Sequence, residues 1–180
     1  MIKYYELLAD GYSATGVIYP PKGWPTPVAI DATPVNNWQN LVLELVNGPY
    51  SHFNMIVGGG NVISKELKDL FLSFLNHNDY LDFFPVRVIS KEYGDKECYI
   101  MHFNKIFDVI DNDNTIFGPC GRTLSDVILL RVLYEKVRDL KIFNYRPHHN
   151  EIIVSDDIRK EIIRNRLNDG IEFQPIYCIQ

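Results

Sequence analysis

Cysteine is scarce in this chain of 180 residues: Cys98, Cys120 and Cys178 are odd in number, far apart, and lack the close spacing of metal ligands. That excludes a disulfide framework and fits reduced thiols acting as small hydrophobes in a cytosolic setting. Long apolar runs are missing as well. No stretch approaches the roughly 18–20 residues that span a bilayer, and the start "MIKYYELLADGYSATG" has neither a basic n-region nor an apolar h-region, so a cytoplasmic protein without a membrane partner is expected. Positive charge is the third deficit. Eighteen Lys and Arg stand against 23 Asp and Glu, a net charge of −5, with no basic tract to neutralise phosphates. Nucleic acid is therefore not expected as a partner, whereas a basic protein is.

What is present is an ordinary globular composition, 46% hydrophobic and 23% charged. At this length folding buries roughly two-thirds of the unfolded surface, so a single domain over 1–180 is expected. Composition shifts once. Residues 1–60 hold six of the ten prolines and only six charged side chains, which reads as a Pro/Gly-rich, irregular or β-rich N-terminal part packed on an α+β part over 61–180. Within it "NLVLELV", residues 40–46, alternates Leu41, Leu43 and Leu45 with Val42, Glu44 and Val46, as a largely buried strand does, and Asn47-Gly48-Pro49 ends it.

Two distant segments share one pattern. In the first, Ser64 stands at an N-cap, Glu66 lies in the first turn, and Leu67, Leu70, Phe71, Phe74 and Leu75 form an apolar stripe, so the spacing predicts a helix over about 64–76. Asn76-His77-Asn78-Asp79 stops it, and "YLDFFPVRVI" reads as a strand whose Pro85 suits an edge or a strand start. In the second, Ser155 caps, Asp156 and Asp157 fill the first turn, and Ile158, Ile162, Ile163 and Leu167 give a face over about 155–168 before Asp169-Gly170 and the strand "IEFQPIYCI". Each copy predicts a helix laid back on the strand it leads into, the two together giving a mixed, mainly antiparallel sheet covered by two amphipathic helices. Between them "CYIMHFNKIF" alternates as a strand. "DVILLRVLYEKVRDL" fits a helix with Leu130, Leu133, Tyr134 and Val137 on one face, or a strand followed by a charged turn, which is preferred; "KIFNYRPHHNEIIVS" gives two strands about "RPHHN".

In order, Trp38 before "LVLEL", the Gly-rich approach to "VISKELKDL", "FFPVRV", "YIMHFNKIFDVIDNDNT", "KIFNY", "IIVSDDI" and "GIEFQPI" resemble the bacterial polymorphic-toxin immunity proteins of family eleven, formerly domain of unknown function sixteen twenty-nine. Val62, Ile63, Ser64, Leu67, Pro85, Asp108, Asp111, Thr115, Phe143, Val154, Ser155, Ile158, Gly170, Phe173 and Pro175 occupy the places of that family's motifs. Thr115 replaces a serine, and "IFGPCGRTLSD" is longer than the family's pattern. The resemblance implies an immunity protein that binds and neutralises a cognate secreted toxin by direct contact, without catalysis or cofactor. Monomer or weak homodimer is the expected state.

Other chemistry finds less support in the sequence. "DNDNT" begins like a calcium loop, but Ile116 and Arg122 fall where an EF-hand needs glycine and glutamate. Asp108, Asp111 and Asp113 could hold another cation or face a basic partner, although Asp and Asn in turns usually bond their own backbone. "GGGN" lacks the Lys-Ser/Thr of a phosphate loop. His102 with Cys120, or the Asp108–Asp113 cluster, is the alternative of an enzyme or small-molecule site; His148 and His149, being adjacent, give no ligand geometry. Trp24 and Trp38 are core anchors or contact residues. The contact candidates are Asp108, Asp111, Asp113, Asp156, Asp157 and Trp38.

Overall fold

Where the two serine-led segments lie relative to each other decides the architecture. A computed structural model describes residues 4–10, 16–22, 32, 34–57, 59–76, 80–118, 127–145 and 151–179. Its elements are β1 (Tyr4–Ala9), β2 (Val17–Tyr19), β3 (Leu41–Val46), β4 (Phe53–Met55), β5 (Asn61–Ser64), α1 (Lys65–Phe74), β6 (Leu81–Ile89), β7 (Lys96–Phe103), β8 (Ile116–Phe117), β9 (Val127–Leu129), β10 (Arg131–Leu133), α2 (Tyr134–Val137), β11 (Ile142–Phe143), β12 (Ile152–Ser155), α3 (Asp156–Arg164) and β13 (Ile171–Ile179). This is an α+β protein, mostly strands in mainly antiparallel sheets with three short helices among the described residues.

Both expected helices form, each shorter than its pattern. Ser64 caps α1, its Oγ accepting the Leu67 N–H at 3.2 Å, and Leu67 and Phe71 are fully buried on one face. Ser155 holds the same position before α3, but it is buried and its hydroxyl makes no hydrogen bond among the described residues. Ile158 and Ile162 of α3 point inward, whereas Ile163, counted in the expected face, is exposed because the helical step of 100° carries it out of the stripe. The helix stops at Arg164 rather than near 168: Arg166 takes φ +58°, its N–H bonds the Ile163 carbonyl and that of Leu167 bonds Ile162. This is a Schellman ending, closed by the apolar contact of Leu167 with the core. The segment 127–140 begins extended, as in its preferred reading, but in two short strands, and its charged stretch is one turn of helix rather than a plain turn.

The strands form not one covered sheet but two, because a long strand inserts between the members of each copy. One sheet has the order β2-β3-β6-β7-β5-β4, the other β10-β13-β1-β12-β11, and β8-β9 is a separate ribbon. Leaving β2 aside, the two orders superpose strand for strand: a parallel pair (β3 with β6, β10 with β13), then three antiparallel pairs. Register agrees too. Pro85 faces Tyr99 as Pro175 faces Tyr5; Ser64 faces Cys98 as Ser155 faces Tyr4; Phe53 faces Ile63 as Ile142 faces Val154. The agreement extends to side chains: the Lys68 ammonium lies 4.0 Å over the Tyr99 ring, and the Arg159 guanidinium 4.5 Å over Tyr5. Outside the ladders, Asn104 N–H bonds Tyr80 O while Asp10 N–H bonds Gly170 O, and both acceptor residues have positive φ.

The second half thus takes its middle strand from the other end of the chain. In the first half the order along the sequence is β3, β4, β5, α1, β6, β7; in the second it is β10, β11, β12, α3, β13, and then β1. Each sheet also curls round. A parallel bridge Ile18–Ile56, with the Val57 N–H donating to Ile18 O at 2.9 Å, joins β2 to the chain just after β4. Bridges Phe107–Tyr145 and Ile110–Val132 do the same for the segment 107–110 in the second half.

Three cores result. Inside the first curled sheet lie Ile18, Leu43, Ile56, Val62, Val88 and Ile100, and inside the second Tyr4, Phe107, Val132, Phe143, Ile153 and Ile176. Between the sheets, under α1 and α3, sits the central core with Tyr5, Leu7, Phe71, Met101, Ile152 and Ile162. The helices rest on the strands before them and on β7 and β1, rather than chiefly on the strands they lead into.

This geometry explains the repeated Phe-x-Pro. In β6, Leu81 and Phe83 face the central core and Val86 and Val88 the interior of the first sheet; in β13, Ile171 and Phe173 face the centre and Ile176 the second interior. The proline marks the crossing. Up to Pro85 strand β6 is paired only by β7, and β3 joins it from Val86; up to Pro175 strand β13 is paired only by β1, and β10 joins it from Tyr177. A residue without an N–H costs no ladder bond on an unpaired flank.

Because β1 and β13 run antiparallel as a hairpin would, a permuted chain joining residue 179 to residue 4 by a short linker, with new termini between residues 10 and 16, should keep the fold. The expected result is one cooperative thermal transition with the near-ultraviolet circular dichroism of the natural chain. Deleting residues 1–9 should abolish it.

Candidate functional site

The residues nominated from sequence serve the fold before anything else. Asp111 is buried and folds its own turn: Oδ1 accepts the N–H groups of Asp113 and Asn114 at 3.1 and 3.2 Å, and Oδ2 accepts Asn114 Nδ2 at 2.7 Å. Thr115, in the serine place of the motif, clamps β10 in both directions, its Oγ1 accepting the Arg131 N–H and donating to the Arg131 carbonyl, each at 3.2 Å. Asp108 lies on the surface 3.7 Å from Lys136 Nζ. Asp113 is exposed and makes no ion pair among the described residues.

At the start of α3, Asp156 binds Arg159 at 3.2 Å and Lys160 at 2.7 Å, which hold its carboxyl below the usual range, and Asp157 binds Lys141 at 3.1 Å. Trp38 is half-buried, stacked on Phe84 at 4.7 Å with its Nε1 donating to the Pro85 carbonyl at 2.8 Å. His102 is buried within β7 with its ring 5.8 Å from Phe84. Cys120, Trp24, His148 and His149 lie outside the described residues. Burial pushes the Cys98 and Cys178 thiols up to about 11, so both stay protonated at neutral pH and are poor nucleophiles.

Two polar arrangements were not visible in the sequence. His52 Nδ1 lies 2.8 Å from Ser64 Oγ, beside a hollow of about 360 Å³ that Glu66 and Lys96 also line. A serine next to a histidine suggests a nucleophile and its base. The second half argues otherwise: Lys141 occupies the place of His52, since Ser64 N–H bonds the His52 carbonyl as Ser155 N–H bonds that of Lys141, and Lys141 pairs with Asp157, the counterpart of Glu66. Both pairs fasten a helix N-terminus to the preceding loop. Glu66 is held below the usual carboxylate range by its own backbone N–H, with help from Ser64 and His52.

The second is Glu6, buried in the middle of β1 with Tyr145 Oη donating to its Oε1 at 3.3 Å. Burial first, and then the charge of Glu151, push its carboxyl up to about 8. Its counterpart in the first half is the apolar Ile100, so the sheet does not require a carboxyl there.

A surface groove of about 610 Å³ runs between α1 and α3, lined by Leu70, Phe74 and Leu167 with Glu66, Glu161 and Arg164 on its rim. Among the described residues no cluster of His, Cys, Asp and Glu is arranged to hold a metal ion, and no helix is long and apolar enough to cross a membrane. The model of the immunity protein family (Imm11) matches residues 46–177, from the last residue of β3 almost to the end of β13. No curated protein matches the chain.

Glu6 gives stability a pH dependence of known sign. An unfolded glutamate ionises near 4.5 and the folded one near 8, so the native state holds a proton that the unfolded state has lost, and stability falls as pH rises through that window. Glu6→Gln removes the effect. Its melting temperature should vary less between pH 5 and 8.5 than that of the natural chain, with a gain on the order of 1–3 kcal/mol at the alkaline end. An unchanged slope in thermal melts would show that Glu6 is not the group responsible.

Proposed function

The chain belongs to the Imm11 immunity proteins, and from that premise we propose that it binds a cognate secreted antibacterial toxin domain and neutralises it by direct contact. The observation that carries this reading is the family match across most of both halves of the fold. The nominated polar groups are consistent with it: Asp111, Thr115, Asp156 and Asp157 are each spent on a turn, a strand clamp or a helix start. Inhibition by occlusion needs a surface that fits, not a reacting group. The protein works in the cytoplasm of the toxin-producing bacterium, as a single domain, monomeric or weakly dimeric, without turnover or cofactor.

A net charge of −5 favours a basic toxin, and the exposed carboxylates Asp108 and Asp113 supply attraction at a distance, with Asp156, Asp157 and Trp38 as further contact candidates. Such charges act on association rate more than on the lifetime of the complex.

Expression of the toxin domain encoded in the adjacent reading frame should stop growth, and co-expression of this chain should restore it. The two should elute together from a sizing column as a stoichiometric complex. Growth restored without a complex would sink occlusion as the mechanism. Asp113→Lys should slow association several-fold at low salt and leave dissociation unchanged, as read by stopped-flow mixing.

A further inference from the structure

The two halves share a backbone plan, so a difference in surface chemistry at matching positions is not imposed by the fold. The clearest difference lies where the first sheet closes. Ile18 and Ile56 bridge with both side chains in the interior, so their neighbours face outward: Val17 beside Met55, and Tyr19 beside Val57. All four are exposed, Met55 at 59% and Tyr19 at 43%. Strand β3 extends the patch, since Val46 pairs with Val17 and Glu44 with Tyr19, and Val42, two residues from Glu44 on the same face, is 47% exposed.

At the matching closure of the second half, Phe107 and Tyr145 hold the places of Ile18 and Ile56. Asp108 then stands where the first half has Tyr19, and the buried Asn144 where it has Met55. Asn144 is turned inside and Ile106, in the place of Val17, is half-buried and apolar, so among the described residues it is at Asp108 that the second half sets a polar group in water. An apolar face kept in water lowers solubility unless something covers it.

Charge narrows what that is. Glu44 sits within the apolar face and makes no ion pair among the described residues. At the rim, a hollow of about 210 Å³ is lined by Glu44, Val46, Glu92 and Tyr93, with Lys91 as the one cation. Two carboxylates around an apolar patch fit a partner with an apolar centre and a lysine or arginine beside it. A second copy of this chain would bring the same two carboxylates, with Lys91 alone in that hollow to meet them, in a chain of net charge −5.

We propose that the outer face of β2, β3 and the chain after β4 is the surface on which the toxin docks, through an apolar patch of a basic protein surface whose cationic side chain meets Glu44 and Glu92. The assignment rests on the toxin-binding reading above and adds to it where the contact lies.

The test uses the full chain and the toxin domain encoded beside it. Binding of the natural chain comes first: no binding and no growth rescue would end the toxin-binding reading itself, before this surface is at issue. Given binding, Met55→Arg and Tyr19→Ser, both at exposed positions and checked for natural melting behaviour, should each weaken affinity about 30-fold or more. Glu44→Lys should slow association about tenfold at low salt, with the difference shrinking as salt rises. Leu72→Arg, an exposed apolar position on α1, should change affinity by less than about twofold.

Loss of binding by Leu72→Arg with natural affinity in the Met55 and Tyr19 variants would move the interface to the helices and overturn the proposal. Natural affinity in all four variants would overturn it as well. So would a concentration-dependent dimer of the natural chain that Met55→Arg dissolves, since the face would then be occupied by a second copy.

Discussion

The pairing of the first strand with the last is the constraint from which the rest of the structure follows. Strand β1 lies between β12 and β13 in the middle of its sheet, buried on both faces: Tyr5 and Leu7 face the central core, Tyr4 and Glu6 the interior of the second half. Without it β12 and β13 have no common neighbour and the sheet falls into two pairs, joined among the described residues only by the bridges of the segment 107–110. Tyr4 ties this strand further, its hydroxyl donating toward the Val137 carbonyl at 2.6 Å and that of Leu140 at 3.2 Å, at the end of the short α2 and just beyond it. Strand β1 is made well before both of its neighbours, and until β12 and then β13 follow, its edges are unpaired, a liability that a late-closing, non-local topology carries during synthesis.

The crossing strands β6 and β13 do the complementary work. Each serves two cores in succession, so removing either would open one curled sheet and the central layer together. The turn before β13 shows how tightly this is set. Gly170 has φ +80°, and a Cβ there would lie 2.6 Å from Ser51 Oγ and 2.7 Å from the Phe53 carbonyl, so the chain can pass between the halves only as glycine. Tyr80 holds the matching place with φ +50°, where its ring instead tilts against Phe107 at 6.2 Å. One repeated backbone feature has been solved twice, once by absence of a side chain and once by a use for it.

What the sequence made legible was local. The cap at Ser64, the helix start at Ser155, the stripe of Leu67 and Phe71, the alternation in 41–46 and 99–103 and the strands at 142–143 and 152–155 all follow from propensities within a few residues of each other. Illegible were relations between distant residues. Nothing in "YYELLA" says that it belongs to a sheet formed by residues 131–179, because both of its faces are buried and the alternation that announces a half-buried strand is absent. For the same reason "NVIS" raises no expectation of a strand, though it is strand β5. The likeness of the two halves was visible as a faint motif, yet its extent rests on β1, which stands outside the order of the copies. Among candidate site residues, Asp111 and Thr115 were recognisable as motif positions, but their task is the turn and the β10 clamp, and Glu6 and His52 carried no local signal at all.

A two-fold scaffold offers each surface twice, which is of no use where one partner is met in one orientation. The halves differ outside while sharing register inside: Ile63 and Val154, Leu67 and Ile158, Phe71 and Ile162 are apolar pairs across the pseudo-symmetry, whereas Tyr19 is matched by Asp108 and Leu70 by Glu161. Interior positions are held by packing density, where a change of one methylene is felt, and surface positions by solvent alone. A contact function can therefore be written onto one half without disturbing the other. That division of labour suits an inhibitor whose fold must stay constant while its outer face is fitted to a particular toxin.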